Sequence, residues 1–109
     1  MAETFKNAYD NAISNSARTI YTCPAATTAI VLTLRITNVD GATDDTITAD
    51  VIDAASGDAK IAHTMTVPAD SSLELAGTSK LVLQTGDKLQ GLASATGDIE
   101  FFVSYLEIT

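Results

Sequence analysis

The chain has no tryptophan, a single cysteine, a single histidine and two prolines in 109 residues, and its six basic residues face fourteen acidic ones. Each shortage excludes something. The lone Cys23 can close no intrachain disulfide and supply no cysteine-rich zinc site, so stability has to come from ordinary core packing. A net charge of −8 repels phosphate backbones and anionic lipid, which argues against nucleic acid and membranes as partners. No apolar run approaches the length of a membrane span, and residues 1–10 lack the basic-then-apolar order of a cleaved secretion signal. The glycines are scattered, five of the six through separate turns, with neither a phosphate-binding loop nor a dinucleotide fingerprint among them.

What is present is a composition 46% hydrophobic and 18% charged, which suits one globular domain. Ala29–Thr37 alternates at a spacing of two, with Ile30, Leu32, Leu34 and Ile36 set against Ala29, Val31, Thr33 and Arg35, and predicts a half-buried strand. Lys60–Val67 repeats the pattern, placing Ile61, His63, Met65 and Val67 on one face. Further strands are expected at Thr19–Cys23, Thr46–Ile52, Ser72–Leu75, Lys80–Leu83, Lys88–Ala95 and Asp98–Ile108. Between them stand turn formers: Asp40-Gly41, Ser56-Gly57-Asp58, Pro68-Ala69-Asp70, Ala76-Gly77, Thr85-Gly86-Asp87 and Thr96-Gly97-Asp98. The expected fold is all-β, an antiparallel β-sandwich or jelly roll of about eight strands. Residues 19–109 would form the sandwich and residues 1–18 an N-terminal arm or edge segment, with a short helix as the alternative for that segment.

Conventional reaction chemistry has few carriers here. Cys23 and His63 are the sharpest enzymatic pair, but neither lies in a family signature, and the preferred reading is a small buried thiol and a strand histidine at the core rim. Asp40, Asp44 and Asp45 bring three carboxylates into one loop, yet their order is not that of a helix-loop-helix calcium site, and aspartates are common in turns because they bond their own backbone. No catalytic, cofactor or metal residue is assigned. The closing strand is more informative, with Ile99, Phe101, Val103 and Tyr105 on one face and Phe102, Leu106 and Ile108 on the other. A second apolar face needs cover, from the N-terminal segment or another subunit. Phe5, Tyr9 and Ile13, spaced by four, offer a stripe of their own, read as a clamp on a neighbour. These six residues are the expected partner contacts, in a homo-oligomer expected to be a trimer.

Taken in order, Ile20-Tyr21-Thr22-Cys23-Pro24-Ala25, the Ile30–Thr37 strand, Val67-Pro68-Ala69-Asp70-Ser71-Ser72-Leu73, Leu83-Gln84-Thr85-Gly86-Asp87-Lys88-Leu89 and Val103-Ser104-Tyr105-Leu106-Glu107-Ile108 resemble small virion structural proteins of tailed bacteriophages. The resemblance runs from about residue 19 onward and consists of strand and turn patterns without a chemical signature. It implies a non-enzymatic virion part: a head decoration or cement protein bound to the phage major capsid protein, or a tail, neck or fibre-associated protein. It also implies a location on the phage particle surface after assembly in the host cytoplasm. A carbohydrate-binding β-sandwich is a further alternative, weakened by the lack of tryptophan platforms.

Overall fold

The computed structural model describes residues 2–76 and 80–109; the predicted Ala76-Gly77 turn falls partly outside them. Nine strands are described: β1 (Glu3–Ile13), β2 (Arg18–Thr22), β3 (Thr28–Asn38), β4 (Asp45–Ile52), β5 (Asp58–Val67), β6 (Ser72–Glu74), β7 (Leu81–Leu83), β8 (Lys88–Ala93) and β9 (Ile99–Ile108). They form two antiparallel sheets. One runs β1-β9-β3-β6, with β7 also on β3, and the other runs β2-β8-β4-β5. All eight strands expected from periodicity are present, close to their expected bounds, and the two-sheet β fold is as anticipated.

The inner faces share one core. Val31, Leu34, Ile36, Ile99, Phe101 and Val103 of the first sheet meet Ile47, Ala49, Ala62, Val67 and Leu89 of the second, all buried. Tyr105 of β9 lies against Tyr21 of β2, ring centroids 4.1 Å apart and planes tilted by 39°, which joins the two layers at one end. Gly91 of β8 is where the second sheet makes room for the largest core side chain: a Cβ there would stand 2.7 Å from Cε2 of Phe101. Gly91→Ala is therefore expected to cost about 1–3 kcal/mol by overpacking, and Phe101→Ala about 3–5 kcal/mol by leaving a cavity. Combining Gly91→Ala with Phe101→Leu should recover part of the loss in urea titration; strictly additive costs would show that the two positions do not compete for one space.

Three β-bulges reassign faces that simple alternation misplaces. In β3, Val31 pairs with Tyr105 and Thr33 with Ser104, so Leu32 is an extra residue. Ala29 and Val31 then point inward with Leu34 and Ile36, whereas Ile30 turns outward, contrary to the expected Ile30/Leu32/Leu34/Ile36 face. In β5, Ile47 pairs with Met65 but Ala49 with Ala62, and Thr64 takes a left-handed φ of 46°. Ala62 and Val67 are buried there while His63 and Met65 are exposed, which corrects the expected single face. In β1, Asp10 pairs with Phe101 and Ile13 with Ile99, again one residue too many.

That last bulge decides the fate of the N-terminal segment. It is neither a free arm nor a helix; Glu3–Ile13 is an edge strand hydrogen-bonded along β9. The parity change sends Ile13 into the core, fully buried, while Phe5 and Tyr9 stay on the outer surface. Asp10 holds the bulge, accepting from the Ala12 amide at 2.9 Å and from Arg18 Nε at 2.6 Å.

Candidate functional site

The two outer faces differ in chemistry. That of the β2-β8-β4-β5 sheet is mostly polar, carrying Thr19, Gln90, Thr48, Asp50, Asp58 and Lys60 beside the half-buried Ile52 and Leu92, with Lys60 bridging Asp50 at 3.4 Å and Asp58 at 2.9 Å. It is what a sheet facing water needs. The outer face of the other sheet carries exposed large apolar side chains, among them Phe5, Tyr9, Val82 and Phe102.

Strand register builds that face row by row. Phe5 pairs with Leu106, Leu106 with Ile30, and Ile30 with Val82, so four apolar side chains cross four strands in one line. Two residues further along β9, Asn7, Ser104 and Thr33 form a polar row closed by a 2.7 Å hydroxyl contact between Thr33 and Ser104. Beyond it Tyr9, Phe102 and Arg35 form the next row, and Ile108 beside Thr28 flanks the first. Phe5 is 73% exposed, Tyr9 66%, Val82 59% and Phe102 43%, values high for side chains of this size. Cross-strand neighbours about 5 Å apart make these residues one patch.

Of the six expected contact residues, five lie together on this face: Phe5, Tyr9, Phe102, Leu106 and Ile108. Ile13 does not, since the β1 bulge buries it. Ile30 and Val82 belong to the patch and are not among the expected contacts; simple alternation sets Ile30 on one face with Leu34 and Ile36, and Val82 sits mid-way in a three-residue strand too short to show a period.

Beneath the patch a polar latch fastens β1. Glu107 continues the inward parity of β9 and is buried, with Tyr21 Oη donating to its Oε2 at 2.6 Å and Lys6 Nζ at 2.8 Å from its Oε1. These partners, Lys6 first, hold the Glu107 carboxyl below its ordinary value of 4.5 against the opposing effect of burial. Burial, then the hydrogen bond to Glu107, pushes the Tyr21 phenol up. A carboxyl depressed in the folded state stabilises above its unfolded value, and that contribution is lost as pH falls through the lower folded value. Glu107→Gln is therefore expected to cost about 1–3 kcal/mol at neutral pH, with the gap to wild type closing as pH drops below 4.5. Thermal melts across pH check this; a gap constant with pH would rule out a charged latch.

The other sequence candidates are kept apart. Cys23 is buried, its Sγ 3.3 Å from the Thr27 carbonyl, and burial pushes the thiol up, opposite to what a nucleophile requires. It follows β2, whereas His63 is exposed on β5 at the far edge of the same sheet, separated by at least three strand spacings, roughly 14 Å, across the sheet and by several residues along it. Asp40 and Asp44 serve turns: Asp40 Oδ1 accepts from the Ala42 amide at 2.8 Å, and Asp44 Oδ1 from the Ala69 amide at 3.0 Å. A shallow depression at the β4–β5 hairpin is lined by Val51, Asp53, Gly57, Asp58 and Ala59, and Asp53 there is occupied with the Ala55 and Gly57 amides.

No protein-family model and no curated protein matches the chain. Among solved structures it is similar to a chain from the disulfide-linked pili of Bacillus endospore appendages, at 14% identity and a TM-score of 0.59 over 99% of this chain and 87% of that one. It is also similar to a chain of the T13 IBDV viral particle, at 9% identity and a TM-score of 0.58 over 96% of this chain, which spans 30% of the viral one. Both are likenesses of fold.

Proposed function

We propose that this chain is a non-enzymatic structural subunit of a phage particle that packs against its neighbours through the apolar outer face of the β1-β9-β3 sheet. The observation that carries the reading is the Phe5–Leu106–Ile30–Val82 row beside Tyr9 and Phe102, on a face that an isolated sandwich leaves to water. The same fold in a pilus and in a viral particle supports an assembly role. The subunit contact here is non-covalent, since the lone Cys23 is buried. Within that role we favour a head decoration or cement protein, self-associated as a trimer and seated on the major capsid protein at the particle surface. A tail, neck or fibre position is the neighbouring reading.

Two measurements test it. Light scattering at high micromolar concentration should give a closed oligomer, and the protein should co-sediment with undecorated capsids. A monomer throughout, with no association to capsid, tail or fibre assemblies, would overturn the proposal. Co-sedimentation with tails alone would keep the assembly role and remove the decoration role.

A further inference from the structure

We infer that the free edge of β1 pairs antiparallel with β1 of a second copy of this chain across a two-fold axis, Asn7 opposite Asn7. The contact uses the rim of the sheet, and so goes beyond the face packing proposed above. The ladder to β9 fixes what that rim offers. Ala2 and Thr109 exchange both backbone hydrogen bonds, at 3.1 and 2.9 Å, and the register holds from there to Asp10 opposite Phe101. Bonded and non-bonded pairs alternate along an antiparallel ladder, so Thr4, Lys6, Ala8 and Asp10 bond inward to β9. Glu3, Phe5, Asn7 and Tyr9 turn their N–H and C=O groups out to the open edge.

The other sheet edges among the described strands are blunted. β2 has five residues and a bulge, β6 and β7 have three residues each, and β5 is bulged against β4 with Thr64 at a left-handed φ of 46°. Short and bulged edges are how sheets avoid joining other chains. β1 from Glu3 to Asp10 is unbroken and free of proline, and its one lysine is held by Glu107 of its own sheet at 2.8 Å. An edge left open over this length is a template for another strand.

The sequence of β1 identifies the occupant, because the strand complements itself. With Asn7 on the axis, Phe5 stands opposite Tyr9 of the second copy and Tyr9 opposite its Phe5, two aromatic pairs on the outer face. Lys6 then faces Ala8, and Asp10 faces Thr4, so no charge meets its like. These central pairs join residues whose backbone groups are free, which gives about six interchain hydrogen bonds. Neighbouring registers are worse. One step back, Phe5 opposite Asn7, sets Lys6 directly against Lys6; one step on, Asn7 opposite Tyr9, sets Phe5 against Asn11 in the bulge. The pairing makes the apolar outer faces of two copies continuous, and beside the trimer favoured above it gives dihedral symmetry.

The test is sedimentation of the full chain at high micromolar concentration, beside a thermal melt. Asn7→Lys and Asn7→Asp should each roughly halve the wild-type assembly mass by setting like charges across the axis. Their Tm should stay within a few degrees of wild type, since Asn7 is exposed. Mixing the two variants should restore the mass, because lysine then meets aspartate. Asn7→Pro should act as the lysine variant does, since it removes an edge N–H that the ladder to β9 does not use; if it fails to fold, the charge pair carries the comparison alone. Phe102→Ser separates this contact from face packing, for it removes a ring that the face needs and the β1 edge does not. A dimer that survives Phe102→Ser supports the pairing. A wild-type monomer would overturn it, as would a mass unchanged in both charged variants, a loss that mixing fails to restore, or a fall to monomer in Phe102→Ser.

Discussion

Replacing Phe5 and Phe102 together with serine should leave the fold nearly unchanged and weaken self-association or particle binding by at least about 100-fold. The two side chains are 73% and 43% exposed, so the isolated subunit loses little core when they go. If a neighbour covers them, each contributes about 1.5–3 kcal/mol of apolar burial to the contact, and each 1.4 kcal/mol is roughly tenfold in affinity. The comparison is a sedimentation titration beside a thermal melt. The control is Thr19→Ser with Gln90→Ser on the polar outer face, which should change neither. Undiminished association in the phenylalanine variant would move the interface to another surface. A fall in Tm large enough to unfold the chain would instead mean that the two rings stabilise the monomer.

Deleting residues 1–13 is expected to destabilise the domain severely, whereas the stripe of Phe5, Tyr9 and Ile13, read as a clamp on a neighbour, predicts little loss of stability. Only Ile13 of the three is buried, and losing it costs about 2–5 kcal/mol. Lys6 goes with it, leaving the buried Glu107 carboxylate with Tyr21 as its remaining close partner. β9, a central strand, becomes an edge along its whole length. Against a total stability of about 5–15 kcal/mol, the truncated chain should melt at least about 10 °C lower or fail to fold. Circular dichroism melts of the truncation and of Ile13→Ala separate core loss from strand loss. A truncated domain melting within a few degrees of the full chain would show that β1 is detachable, the arrangement that clamping a neighbour requires.

Both predictions turn on which way a side chain points. Sequence by itself determined that the chain is all-β, where eight of the strands lie, that turns separate them, and that β9 is apolar on both faces, because a period of two is a local property of adjacent residues. The inward parity of β9 was legible too, and carried one position further it places Glu107 among the buried residues. What the sequence did not hold is the position of the bulges. Nothing local marks Leu32, the Asp10–Ile13 segment or Thr64 as the place where one strand gains a residue on its partner, since a bulge exists only relative to the strand opposite. Each inserted residue inverts the faces beyond it, and so the tertiary structure alone decided that Ile30 joins the outer patch, that Ile13 leaves it for the core, and that Met65 and His63 are exposed. Chain pairing over long separations decided the rest. Lys6 meets Glu107 across about a hundred residues, and Cys23 and His63 end at opposite edges of one sheet, because contacts between sequence-distant residues are set by strand order and register.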